Sequence, residues 1–169
     1  MAHRTKTYIS GNWYDDKDAM DKLQQWNENW YLTSSNDLIQ PKTVPSYICT
    51  NKLFIKTRMG VSKTFVLIVG ETTNRLTAGS CEFCKYYNNW TSSCPKGYNV
   101  DYRSYVNYEC DKAIEEGVKI VVLYHSTIVS KDKCPKAVRN IGTHAAMLYT
   151  GSDGESHWDY DAVKKAIEE

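Results

Sequence analysis

Asp101-Tyr-Arg-Ser-Tyr-Val-Asn-Tyr-Glu-Cys-Asp-Lys-Ala-Ile-Glu-Glu-Gly117-Val-Lys-Ile-Val-Val-Leu-Tyr124 carries a helix, its stop signal and a strand in one run. Val106, Cys110, Ala113 and Ile114 recur at helical spacing across Tyr102–Glu116, with Asp101 placed to cap the start and Gly117 at the C′ position. Val118–Tyr124 then shows no polar alternation. A strand of that kind is covered on both faces, which predicts a parallel sheet. Thr64–Val69, closed by Gly70, repeats the pattern.

Outward from these two strands the chain alternates. Lys6–Ser10 reads as a first strand ending at Gly11, and Asp16–Trp30 as a helix with Met20, Leu23, Trp26 and Trp30 on one face. Tyr31–Ser34 fits a short second strand. Thr43–Lys63 fits a helix with Pro45 in its first turn and Tyr47–Ile48, Leu53–Phe54 and Met59 on its apolar side. Pro135–Asn140 suggests a short helix, Ala145–Tyr149 a fifth strand, and Tyr160–Glu169 a final helix capped by Asp159. The expectation is one domain over residues 1–169. Its class is α/β, doubly wound and flavodoxin-like, with a parallel five-stranded sheet and helices on both faces.

Composition narrows the function classes. Lys plus Arg number 21 against 20 for Asp plus Glu, so the formal net charge of +1 predicts no nucleic-acid partner. The longest apolar runs, Phe65–Val69 and Ile120–Tyr124, are too short to span a bilayer, and no membrane partner is expected. The opening Met1–Ser10 lacks the apolar stretch of a secretory signal, so the expected location is cytoplasmic. In that compartment six cysteines point to thiols or metal ligands rather than disulfides. Aromatics reach 12%, mostly Tyr, a composition suited to a half-buried cleft or interface. Gly-x-Gly-x-x-Gly, phosphate-loop and Gly-x-Ser-x-Gly motifs are all absent from the sequence, which argues against Rossmann, NTPase and serine-hydrolase chemistry.

Three constellations remain. Beyond the first strand lie Ser10, Gly11, Asn12, Trp13, Tyr14 and Asp15, where an open α/β sheet binds ligands; Gly, Asn and Asp are equally ordinary turn formers. On the helix, Glu109 falls about 60° from Val106, at the edge of the buried stripe, with Tyr105 one turn before it. A half-desolvated carboxylate beside an aromatic suits a developing cation; a surface Glu beside Lys112 is the alternative. Finally, Glu71–Val100 is longer than an ordinary connection and holds Cys81-x-x-Cys84 and Cys94. Those three fit a structural zinc site whose fourth ligand would be Cys110, Cys134 or His125, or they pack as small free thiols.

Lys6–Gly11, Phe65–Glu71, and Tyr105–Ala113 followed by Gly117–Leu123 together resemble the TIR-like ThsB family of bacterial Thoeris antiphage systems. The resemblance runs from about Lys6 to Leu123. It implies cleavage of the nicotinamide–ribose bond of NAD⁺ as a substrate, with Glu109 as the catalytic carboxylate. The family's Trp-x-x-x-Glu pattern reads Tyr105-x-x-x-Glu109 here. It further implies a cyclic ADP-ribose-type signal, an effector protein reached through that nucleotide, a phage-derived trigger and self-assembly. Two rival readings stay open: a TIR-like interaction module without catalysis, and a zinc-stabilised flavodoxin-like regulator binding another nucleotide.

Overall fold

A computed structural model describes residues 4–29, 38–39 and 47–169. Four strands run side by side and parallel: β1 (Lys6–Ser10), β3 (Ser62–Val69), β4 (Lys119–Tyr124) and β5 (Thr143–Ala146). On the outer side of β1, β2 (Leu38–Ile39) adds a two-residue parallel pairing with Thr7 and Tyr8, giving the order β2-β1-β3-β4-β5. This parallel sheet flanked by helices is compatible with a flavodoxin-like arrangement. The expected second strand at Tyr31–Ser34, like Trp30 and Pro45, lies outside the described residues. The expected fifth strand divides. Thr143–Ala146 joins the sheet, whereas β6 (Leu148–Thr150) turns back antiparallel against β7 (Ser156–Trp158).

Alternation along the buried strands sends successive side chains to opposite faces and builds two cores. On one face Ile9, Val66, Ile68, Val121 and Leu123 meet Met20, Leu23 and Trp26 of α1 (Lys17–Glu28) and Val163 and Ile167 of α4 (Tyr160–Glu168). On the other, Tyr8, Phe65, Leu67, Val122 and Tyr124 meet Ile55 and Met59 of α2 (Ile48–Gly60) and Val106, Cys110 and Ala113 of α3 (Tyr105–Glu115). Both faces are thus covered by helices.

Several local readings shift. Helix α3 is capped by Ser104, whose hydroxyl accepts from the Asn107 amide, because Asp101 is drawn instead into ion pairs with Arg103 and Lys52. Ile114 leaves the buried face of α3, and Tyr108 and Glu109 join it. In α2 the buried side is Lys52, Ile55 and Met59, while Leu53 and Phe54 are exposed. Pro135–Asn140 forms turns rather than a helix. Asp159 caps α4 as expected, accepting from the Ala162 amide.

Candidate functional site

Strand β1 ends in Tyr8-Ile-Ser10, and its period of two points Tyr8 and Ser10 toward the face that α3 covers. Glu109, on the second turn of α3, comes down onto them. The Tyr8 hydroxyl donates to Oε1 at 2.6 Å, and the Ser10 hydroxyl donates to Oε2. The carboxylate is only 3% exposed, not at the rim of the stripe as its helical angle suggested. Lys112, its expected surface neighbour, pairs with Glu115 instead. Burial pushes the Glu109 carboxyl up to about 7, against the downward pull of the Ser10 and Tyr8 hydrogen bonds. The Tyr8 phenol is raised in turn, by burial first and then by Glu109.

Glu109 forms part of the wall of a cleft of about 480 Å³, within the usual range for small-molecule sites. The loop after β1 supplies Gly11, Asn12, Trp13 and Tyr14, and α3 supplies Tyr105 and Val106. Asn51, Phe54, Ile55 and Arg58 of α2 form another side, and Leu76 and Ala78 come from the loop after β3. The opening therefore sits beyond the carboxyl ends of β1 and β3, where α/β sheets bind ligands.

Tyr105 is fixed from two directions. Its hydroxyl accepts from the Asn51 amide at 2.9 Å, and its backbone N–H donates to the Ala78 carbonyl at 2.7 Å. Gly79 passes directly against it at φ +100°, and a Cβ there would stand 2.5 Å from Tyr105 Cγ. Only glycine fits both the conformation and the approach.

The loop residues divide by role. Gly11, Asn12, Trp13 and Tyr14 reach the cleft, Tyr14 almost wholly exposed and Trp13 half-buried. Ser10 and Asp15 are not among the residues lining it. Ser10 is buried beneath Glu109 and orients that carboxylate. Asp15 accepts from the Asn12 amide and the Thr72 hydroxyl, both at 2.8 Å, so it ties the β1 loop to the β3 loop. The Asn12 side-chain oxygen accepts from the Tyr14 amide at 3.0 Å, an Asx turn. Site and turn are the same segment.

Sequence reasoning missed Tyr8 and the whole α2 wall. Tyr8 was legible in principle, since it shares strand parity with Ser10. The α2 residues carried no such signal: Leu53 and Phe54 read as a face packed into the core, whereas both stay exposed and Phe54 lines the cleft.

Cys81, Cys84 and Cys94 do come together. Their neighbour is Cys49 in the first turn of α2, around a small hollow also lined by Tyr47 and Tyr87. Cys110 and Cys134 are instead buried in the α3-side core, and His125 bonds Asp16 through Nδ1 at 2.8 Å. As they stand, no group of three or more His, Cys, Asp or Glu side chains forms a ready metal-ligating set among the described residues. No helix among them is long and apolar enough to cross a membrane.

No protein-family model matches the chain, and no curated protein matches it.

Proposed function

We propose that the chain is a TIR-like, flavodoxin-like enzyme with a five-stranded parallel sheet that cleaves the nicotinamide–ribose bond of NAD⁺. The observation that carries this reading is Glu109: a carboxyl held near neutrality, out of bulk water, in the wall of an open cleft with aromatic sides. The resemblance of the Tyr105–Ala113 segment to the ThsB family names the substrate.

In this reading Trp13, Tyr14 and Tyr105 offer ring faces to nicotinamide or adenine, and the Arg58 guanidinium suits the pyrophosphate. Nicotinamide departs as a neutral molecule and takes the electron pair of the C–N bond, leaving an oxocarbenium-like ribosyl centre. The ionised Glu109, oriented by Tyr8 and Ser10, balances that charge in a low-dielectric wall, where a fixed carboxylate acts strongly. Attack by water gives ADP-ribose, and Glu109 takes the proton released. Attack by a nitrogen or hydroxyl of the same nucleotide gives a cyclic isomer, the signal expected for an effector protein. A phage-derived trigger, assembly of copies and a cytoplasmic location belong to the same proposal.

A second reading draws on the burial of Glu109. A carboxyl bonded to Tyr8 and Ser10 also rivets α3 to β1, as a non-catalytic assembly module would need.

Incubation with NAD⁺, with products resolved by chromatography and mass spectrometry, separates the two. Wild-type protein should release nicotinamide with ADP-ribose or a cyclic isomer, and Glu109→Gln should not. Equal release by both proteins would overturn the assignment of Glu109. No release by wild type, alone or with lysate of phage-infected cells, would favour the assembly module.

A further inference from the structure

Four of the six cysteines stand together, although they are scattered along the chain. Cys49 opens α2, Cys81 and Cys84 flank a single 3-10 turn (Cys81–Phe83), and Cys94 leads the turn Cys94-Pro-Lys-Gly97. All four line one hollow of about 10 Å³, the room of a single small particle. We propose that this cluster is a structural zinc site with Cys49, Cys81, Cys84 and Cys94 as its four ligands.

Two tight turns bring the cysteine segments up to the hollow, and the side chains would close onto a metal from there. The Cys84 amide donates to the Cys81 carbonyl at 3.0 Å and the Gly97 amide to the Cys94 carbonyl at 2.9 Å, so each cysteine segment folds into a tight knuckle. Gly97 takes φ +75°, which closes the second knuckle. The Asp101 amide donates to Cys81 Sγ at 3.3 Å, the kind of N–H···S contact that orients a metal-bound sulfur. Cys49 and Cys94 line the same hollow from two different segments of the chain.

Charge fits as well. Zn²⁺ binding to four thiols releases four protons and leaves a centre of net charge −2. Lys96, over the Tyr47 ring that lines the hollow, stands beside it. The segment also needs a staple. Phe83, Tyr86, Trp90 and Tyr98 are all exposed, so little apolar burial orders it.

Zinc would clamp the start of α2 to the loop two residues from Asn51, which holds Tyr105. The site stands independently of the NAD⁺ reading, and none of its tests uses that nucleotide. Protein purified under reducing conditions without a metal-affinity tag should carry about one zinc per chain. Exchange with Co²⁺ should give the charge-transfer and intense visible bands of tetrahedral thiolate coordination. Cys49→Ser should weaken zinc retention at least about a hundredfold, the upper end for groups that merely support a ligand, while Cys134→Ser should leave it unchanged.

If Cys49→Ser fails to fold, alkylation of the wild type followed by mass spectrometry decides. These four thiols should be protected together and become reactive together on chelation. Protein that neither carries zinc nor takes up added Zn²⁺ overturns the site. Full zinc retention by Cys49→Ser overturns the four-cysteine assignment.

Discussion

Two of the cleft's walls are built on different principles. The Glu109 wall belongs to the sheet: Tyr8, Val106, Phe65 and Leu67 are buried around it, and the carboxylate is locked by two hydroxyls from a neighbouring strand. The Glu71–Val100 loop, which gives the cleft Leu76 and Ala78, leaves Phe83 62% and Trp90 99% exposed. It is held by point contacts: Gly79 against Tyr105, the Cys81 amide on the Asp101 carbonyl at 2.9 Å, and the thiol cluster. A wall made by burial is rigid because many contacts must fail together, whereas one held at a few points opens when one of them is lost.

The largest expected effect tests the rigid wall. Glu109→Gln keeps the shape and leaves hydrogen bonds to Tyr8 and Ser10 possible, but removes the charge. Under the NAD⁺ proposal nicotinamide release should fall about a hundredfold or more, measured under conditions where wild type turns over. An unchanged rate would return Glu109 to a purely structural role.

The same variant should be more stable than wild type at alkaline pH. Folding raises the Glu109 carboxyl from 4.5 to about 7, so the folded protein binds this proton more tightly than the unfolded chain. Its stabilising contribution is complete below about pH 4.5 and is lost as pH rises through 7. Above that, wild type keeps a buried charge that Gln lacks, a difference on the order of 3 kcal/mol. Denaturant melts at pH 5 and pH 8 should therefore diverge for wild type relative to Glu109→Gln, and parallel curves would contradict the burial argument. Activity should rise over the window in which stability falls, because the ionised form is the one that balances a cation.

Gly79→Ala tests the point-held wall. A Cβ there meets Tyr105 at 2.5 Å in a conformation unfavourable to L residues, at a cost of roughly 1–3 kcal/mol. Limited proteolysis should cut within residues 82–98 sooner, while hydrogen exchange in β3 and β4 stays slow. Equal loosening of sheet and loop would erase the distinction between the walls.

Asp15→Ala should do least. It removes one acceptor joining Asn12 to Thr72, worth about 1 kcal/mol. Under the NAD⁺ proposal it raises KM more than it lowers kcat, because Asp15 positions the loop without lining the cleft. A loss in kcat as large as that of Glu109→Gln would place Asp15 among the catalytic groups.

Legibility in the sequence followed the range of the interactions. Phe65–Val69 and Ile120–Tyr124 announced a doubly covered parallel sheet because burial on both faces demands unbroken apolar runs. Helical spacing set Tyr105 one turn before Glu109 because that relation is local, but it put Glu109 at the rim of the stripe, where the structure buries it. Capping by Ser104 was not, since Asp101 satisfies the same rule and is diverted by Arg103 and Lys52, a contact that exists only after folding.

The sequence by itself determined the alternation of strand and helix, the apolar strands and the loop beyond β1, because periodicity and turn chemistry act within a few residues. Only the tertiary structure decided that Glu109 lies buried under Tyr8 and Ser10, that α2 forms one side of the cleft, and that Cys49 joins Cys81, Cys84 and Cys94. Each of those depends on packing α2, α3 and the Glu71–Val100 loop onto one face of the sheet. Residues dozens of positions apart meet there through burial and chain path, which no local pattern records.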